Sequence, residues 1–174
     1  GDILHKKGEE QEAFAAYDSC LQWKDDNVMA LNNYAYYLSE KGVDLHKAES
    51  MSYKTIKAEP NNGTYLDTYA WILFMEERYA DAKTYIDQAL KNRDSTADNS
   101  TVLEHAGDIY YMNGMTDESV DFWKKAYTGE NQTEVLAWKI KNRQYITGEE
   151  LKKRNASKQK PAATKKSVRK GKKK

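Results

Sequence analysis

The sequence predicts an all-α chain: a right-handed superhelix (an α-α solenoid) of about 3.5 stacked antiparallel helix pairs, closed by a capping helix. Three observations carry this expectation. Small residues return at equivalent positions, Ala13, Ala48, Ala82 and Ser119, at intervals of 35, 34 and 37 residues, and a period in this range marks a stacked repeat. Two helical half-patterns alternate between those positions. No stretch sustains the alternation of a strand, and the chain's two prolines fall outside the helical runs.

The first half-pattern reads Leu31-x2-Tyr34-Ala35-x2-Leu38, then Leu66-x2-Tyr69-Ala70-x2-Leu73, then Leu103-x2-Ala106-Gly107-x2-Tyr110. Large residues at i, i+3 and i+7 form one face of a helix, and the small residue at i+4 lets a second helix approach closely. The second half-pattern is Ala13-x3-Tyr17-x2-Cys20, Ala82-x3-Ile86-x2-Ala89 and Ser119-x3-Trp123-x2-Ala126, a helix with one bulky knob between two small residues. Ala48-x3-Ser52-x2-Thr55 is its weakest copy, with Met51 and Ile56 supplying the apolar bulk. Cys20 occupies a small-residue position and is expected to be a buried small hydrophobe; a single cysteine forms no internal disulfide and leaves the compartment open.

Turn signals separate the halves. Gly8, Gly42 and Gly114 fall where a first helix must end, the position that favours glycine, and Glu77 takes that place in the third unit. Pro60-Asn61-Asn62-Gly63 closes the second unit, and Asp94 to Asn99 closes the next. Glu134 to Tyr145 carries Leu136, Ile140 and Arg143 at helical spacing, with Trp138 on another side, and reads as the capping helix.

The pattern resembles the tetratricopeptide repeat, W-x2-L-G-x2-Y followed by a second helix with A-x3-F-x2-A and a closing proline. Leu66, Tyr69, Ala70, Leu73, Tyr79, Ala82, Ile86 and Ala89 match it in the best copy, and Pro60 holds the proline position of the copy before. Asn32-Asn33-Tyr34-Ala35-Tyr36 and Thr64 to Trp71 resemble bacterial members, above all cell-envelope lipoproteins of the Bacteroidetes type. That resemblance implies an envelope location, with the cytoplasm as the alternative. In register, Gly1 falls at the small-residue position of a first helix. The chain is thus expected to open inside a repeat, as the C-terminal piece of a longer protein.

Charge divides the chain into 1–146, the repeat array with its cap, and 147–174, a basic tail expected to be disordered after a short helix around Glu149–Arg154. The tail holds 12 Lys+Arg against 2 Asp+Glu, net +10; the remainder holds 16 against 25, net −9. From Asn155 onward Val168 is the one large aliphatic residue and there is no aromatic, too little apolar surface to offset ordering entropy. Lys165, Lys166, Arg169, Lys170, Lys172, Lys173 and Lys174 could hold nucleic acid or an anionic membrane surface through salt-sensitive contacts.

Catalytic signatures are missing. His5, His46 and His105 are far apart, and there is no HExxH, CxxC, nucleophile elbow or phosphate loop. The sequence therefore points to no enzyme, no cofactor and no metal. The resemblance implies that first helices line a concave groove that binds a protein or peptide segment. Its positions here are Asn32, Asn33 and Tyr36, then Asp67, Thr68, Trp71 and Met75, then Glu104, His105, Asp108, Tyr111 and Met112, with Asp2 and His5 extending the row. Amides suit an extended peptide backbone, aromatic side chains give rigid contact area, and Asp67, Glu104 and Asp108 would favour basic residues in the ligand. The cations of a carboxylate clamp are missing, with Thr64 and Thr68 in the third unit. Two roles follow: a non-catalytic scaffold gripping a peptide, or an electrostatic adaptor acting through the tail.

Overall fold

A computed structural model describes residues 9–24, 27–129 and 131–158, the side chain of Trp23 excepted. Every regular element among them is an α-helix: α1 (Glu10–Trp23), α2 (Val28–Lys41), α3 (Leu45–Ala58), α4 (Gly63–Met75), α5 (Tyr79–Asn92), α6 (Ser100–Met112), α7 (Thr116–Ala126), α8 (Glu134–Asn142) and α9 (Gly148–Lys158). Consecutive helices from α1 to α8 pack on one another, and the first helices α2, α4 and α6 also touch in sequence, which is the stacking of a solenoid.

Local chemistry sets the helix ends. Asn27 Oδ1 accepts from the Ala30 N–H at the start of α2, and Asn62 Oδ1 accepts from Thr64 and Tyr65 at the start of α4. Thr147 and Glu150 form a reciprocal capping box on α9, each accepting from the other's backbone N–H. The three first helices end alike. The N–H groups of Val43, Arg78 and Met115 return to the carbonyls of Leu38, Leu73 and Tyr110, each after a residue of positive φ: Gly42 (64°), Glu77 (62°) and Gly114 (78°). Glu77 thus takes the left-handed conformation that its neighbours in the repeat give to glycine. Glu77→Gly is expected to raise stability by about 1 kcal/mol, since glycine relieves the Cβ strain there. A urea melt with an unchanged or lower midpoint would count against it.

The repeat positions are the core. Ala13, Ala35, Ala48, Ala70, Ala82, Ser119 and Ala126 are all 0% exposed, and Met51 and Ile56 supply the bulk of α3 as expected. The central helix α4 is buried without interruption from Leu66 to Phe74, because α2, α3, α5 and α6 all pack around it. Gly107 is the small residue of α6. A Cβ there would lie 2.3 Å from Cδ1 of Trp123, the knob of α7.

Three expectations change. Cys20 is exposed, whereas its counterparts Thr55, Ala89 and Ala126 are fully buried. Among the described helices α1 packs on α2 alone, whereas α3, α5 and α7, which carry the counterparts, each pack between two helices. Arg143 does not continue the face of Leu136 and Ile140: α8 ends at Asn142, and Arg143 turns left-handed (φ 53°) and pairs with Asp117. Lys139 shares the buried face instead, 3% exposed. The short helix expected over 149–154 runs from Gly148 to Lys158, anchored by buried Leu151. Gly8 and the groove positions Asp2 and His5 lie outside the described residues, as do Lys165, Lys166, Arg169, Lys170, Lys172, Lys173 and Lys174.

Candidate functional site

First helices place one face toward the inside of the superhelix, and two adjoining cavities open there. The first, about 620 Å³, is lined by Asn32, Asn33 and Tyr36 of α2, Asp67 and Thr68 of α4, and the loop before α6. The second, about 520 Å³, is lined by Trp71 and Met75, by Glu104, His105 and Asp108, and by residues that arrive from the chain's end. Tyr36 and Thr101 border both. Helix periodicity brings these side chains to one face, and stacking aligns the faces.

Ten of the twelve described groove positions drawn from the sequence thus line these two cavities. Tyr111 does not. Its ring packs 5.9 Å from the Trp123 ring, in the cluster of Val120, Trp123 and Leu136 between α6, α7 and α8. Four residues beyond Gly107, it sits beside the hole that holds Trp123 rather than on the inner row. Met112 likewise packs against the core.

The carboxylates that sequence reasoning offered to a basic ligand are engaged within the protein. Nδ1 of His105 donates to Asp67, 3.0 and 3.2 Å from its two oxygens. Lys139 Nζ donates to both oxygens of Asp108, at 2.7 and 2.8 Å, and to Glu104 at 3.1 Å. The Trp123 indole adds a bond to Asp108 at 2.8 Å. Burial pushes the Asp108 carboxyl above its usual range, while the Lys139 ammonium pulls it back. Lys139 was missed because its partners lie 31 and 35 residues upstream; the one local signal is a lysine between Leu136 and Ile140 on an apolar face.

An aromatic column crosses the second cavity. The Trp71 ring stacks on His105 at 4.1 Å and on Phe74 at 4.8 Å, and Tyr36 meets His105 at 6.2 Å. Tyr145, from the turn after α8, reaches Phe74 edge-on at 5.7 Å, and Ile146 and Thr147 join the cavity wall. Burial, with Asp108 nearby, pushes the Tyr145 hydroxyl pKa up. Burial similarly raises that of Tyr36, with Glu40 adding to it.

Burial works against charge on His105, but the Asp67 carboxylate outweighs it, with Asp108 and Glu40 adding, and its pKa is raised. The sign follows from linkage. A raised folded pKa means the pair's contribution is complete below the ordinary imidazole value of about 6.5 and is lost as pH rises through the higher folded value. Urea-derived stability is expected to fall across that window, and Asp67→Asn should weaken the dependence. An NMR titration of His105 with a midpoint below about 6.5 would contradict it.

Among the described residues, two buried polar atoms of this surface have no hydrogen-bond partner: Oδ1 of Asn32, at the first cavity, and Nε1 of Trp71, at the second. Both residues are more than nine-tenths buried. One is an acceptor and the other a donor.

Fold and inner face together define an α-solenoid of helix–turn–helix units with a polar and aromatic concave surface. Its fold is that of tetratricopeptide repeat proteins. It is 35% identical over 66 residues to a TPR repeat-containing protein of Pseudomonas aeruginosa, a match that covers 38% of this chain and 11% of that protein. The solved tetratricopeptide repeat protein from Parabacteroides merdae superposes with a TM-score of 0.63 at 20% identity, covering 82% of this chain and 54% of that one. YrrB, described as a TPR protein with an unusual peptide-binding site, superposes with a TM-score of 0.59 at 14% identity, covering 72% and 62%. No protein-family model matches the chain.

Proposed function

We propose that the chain is a non-catalytic interaction scaffold that takes an extended peptide segment along its concave face. The observation that carries this reading is the orphaned pair, Asn32 Oδ1 and Trp71 Nε1. A buried polar atom without a partner costs free energy, about 1–3 kcal/mol, that a ligand can return. A peptide backbone alternates N–H and C=O groups, so it can give one to Asn32 and the other to Trp71. The described peptide-binding site of YrrB, on the same fold, supports the reading. With Asp67, Glu104 and Asp108 internally paired, affinity is expected to come from backbone and aromatic contacts rather than from basic ligand residues.

An array of immobilised extended peptides, read with the purified chain, tests this. Trp71→Phe keeps an aromatic ring in the stack and removes the N–H together with the five-membered ring; Asn32→Ala removes the acceptor. Each is expected to weaken captured peptides about tenfold, the worth of one hydrogen bond, with the helical fold retained by circular dichroism. Capture of nothing by the wild type, or equal capture by both variants, sinks the proposal.

A second reading rests on α9, whose Lys152, Lys153, Arg154 and Lys158 are all exposed and lead into the basic segment. We propose it as the electrostatic arm of an adaptor for nucleic acid or an anionic surface. Binding to duplex DNA or anionic vesicles should then fall steeply with salt and vanish on removing residues 152–174.

A further inference from the structure

On another part of the molecule, where α3 begins beside the α4–α5 turn, three metal-ligating side chains converge. His46 is the second residue of α3, and Glu49 lies three residues on, hence on the same helix face. Glu76 caps the C-terminus of α4. One ligand atom from each lies within 4.8 Å of the other two. We propose that His46, Glu49 and Glu76 form a binding site for a borderline transition-metal dication, zinc above all.

Three features separate this cluster from ordinary surface acids. First, the Glu76 side chain is only 10% exposed, yet its Oε1 is buried with no hydrogen-bond partner among the described residues. That oxygen faces Nδ1 of His46 at 3.6 Å. The gap is too long for a hydrogen bond, but two ligands on one tetrahedral ion, each about 2.0–2.1 Å from it, stand about 3.4 Å apart. Second, the carboxylates are held in place by their other contacts. Arg78 Nη1 donates to Glu49 Oε1 at 2.7 Å and to Glu76 Oε2 at 3.2 Å, and Tyr69 donates to Glu49 Oε1 at 3.4 Å. Each glutamate keeps a second oxygen, and outer contacts of this kind orient metal ligands.

Third, charge balances. Glu49, Glu76 and Asp81 surround Arg78, which binds all three. Three carboxylates and one guanidinium leave two negative charges, the complement of one dication. An imidazole with two carboxylates selects zinc, cobalt, nickel or copper over magnesium and calcium, which prefer all-oxygen sites. Exposed His46 opens the site to solvent and leaves the fourth position to water. The ion would tie α3 to the α4–α5 turn, joining the second repeat unit to the third, so it acts on the array's stiffness and not on the groove.

The test uses the whole chain carrying Cys20→Ser, which removes the exposed thiol as a competing ligand. Zinc is expected to raise the melting temperature in a saturable way, reversed by chelator, and cobalt to give the visible absorption of a tetrahedral site. Magnesium should do neither. His46→Ala, a substitution of a fully exposed side chain, and Glu76→Gln, which keeps the shape, should each weaken zinc at least about tenfold. No zinc shift in the parent chain, unchanged affinity in both variants, or an equal response to magnesium would each overturn the proposal.

Discussion

Lys139→Met will cost the fold about 3–5 kcal/mol, the typical loss when one partner is removed from a buried ion pair. The ammonium lies 3% exposed at the meeting of α6, α7 and α8, bonded to Asp108 and Glu104 and resting 5.8 Å from the Trp123 ring and 5.2 Å from that of Tyr145. Methionine fills much of the same volume, so the loss is electrostatic: Asp108, itself 3% exposed, keeps its desolvation without its counter-ion. The deficit should shrink at low pH, where a protonated Asp108 no longer needs the ammonium. Adding Asp108→Leu should recover part of it, because an apolar pair of similar volume carries no unpaired charge. Chemical denaturation gives the values. A loss below about 1 kcal/mol would mean that Lys139 behaves as a surface ion pair. The groove should feel the change as well, since Asp108 adjoins His105 and the second cavity.

Gly107→Ala is expected to cost about 2–4 kcal/mol, from overpacking and a strained or lost hydrogen bond. The new Cβ would meet Cδ1 of Trp123 at 2.3 Å and Nε1 at 2.4 Å. The indole cannot swing away cheaply, since it is 0% exposed and its N–H is bonded to Asp108. The repeat itself explains the glycine. Where the knob of the second helix is Ile86, the hole is Ala70; where the knob is Trp123, the hole must shrink to Gly107. Trp123→Phe in the Gly107→Ala background should therefore restore part of the stability. Intrinsic fluorescence and urea melts check both variants, and a Gly107→Ala chain with wild-type stability would refute this packing.

These two sites show how far the sequence reaches. The knob and hole positions were legible because they repeat along the chain at the spacing that stacking requires. The helix stops were legible too: Gly42 and Gly114 mark them, and even Glu77 takes the left-handed turn that its register demands. The inner row was readable for the same reason, from Asn32 to Asp108. Tyr111 was misplaced because two faces of one helix, the groove side and the side packed on Trp123, lie only a few tens of degrees apart at its end.

What periodicity cannot carry is the pairing of charges across the stack. Asp67, Glu104 and Asp108 look like free acids when read along their own helices. His105 reaches Asp67 over 38 residues, and Lys139 reaches Asp108 over 31. The three side chains proposed as metal ligands likewise come from the start of α3 and the end of α4, which the sequence separates. By itself, then, the sequence determined the helices, their stops and the faces they stack on, since these depend on contacts three to five residues apart or on the repeat that copies them. Only the tertiary structure decided which charged groups remain available to a ligand. Electrostatic partners are selected by proximity across helices and by shared burial, and neither leaves a local pattern.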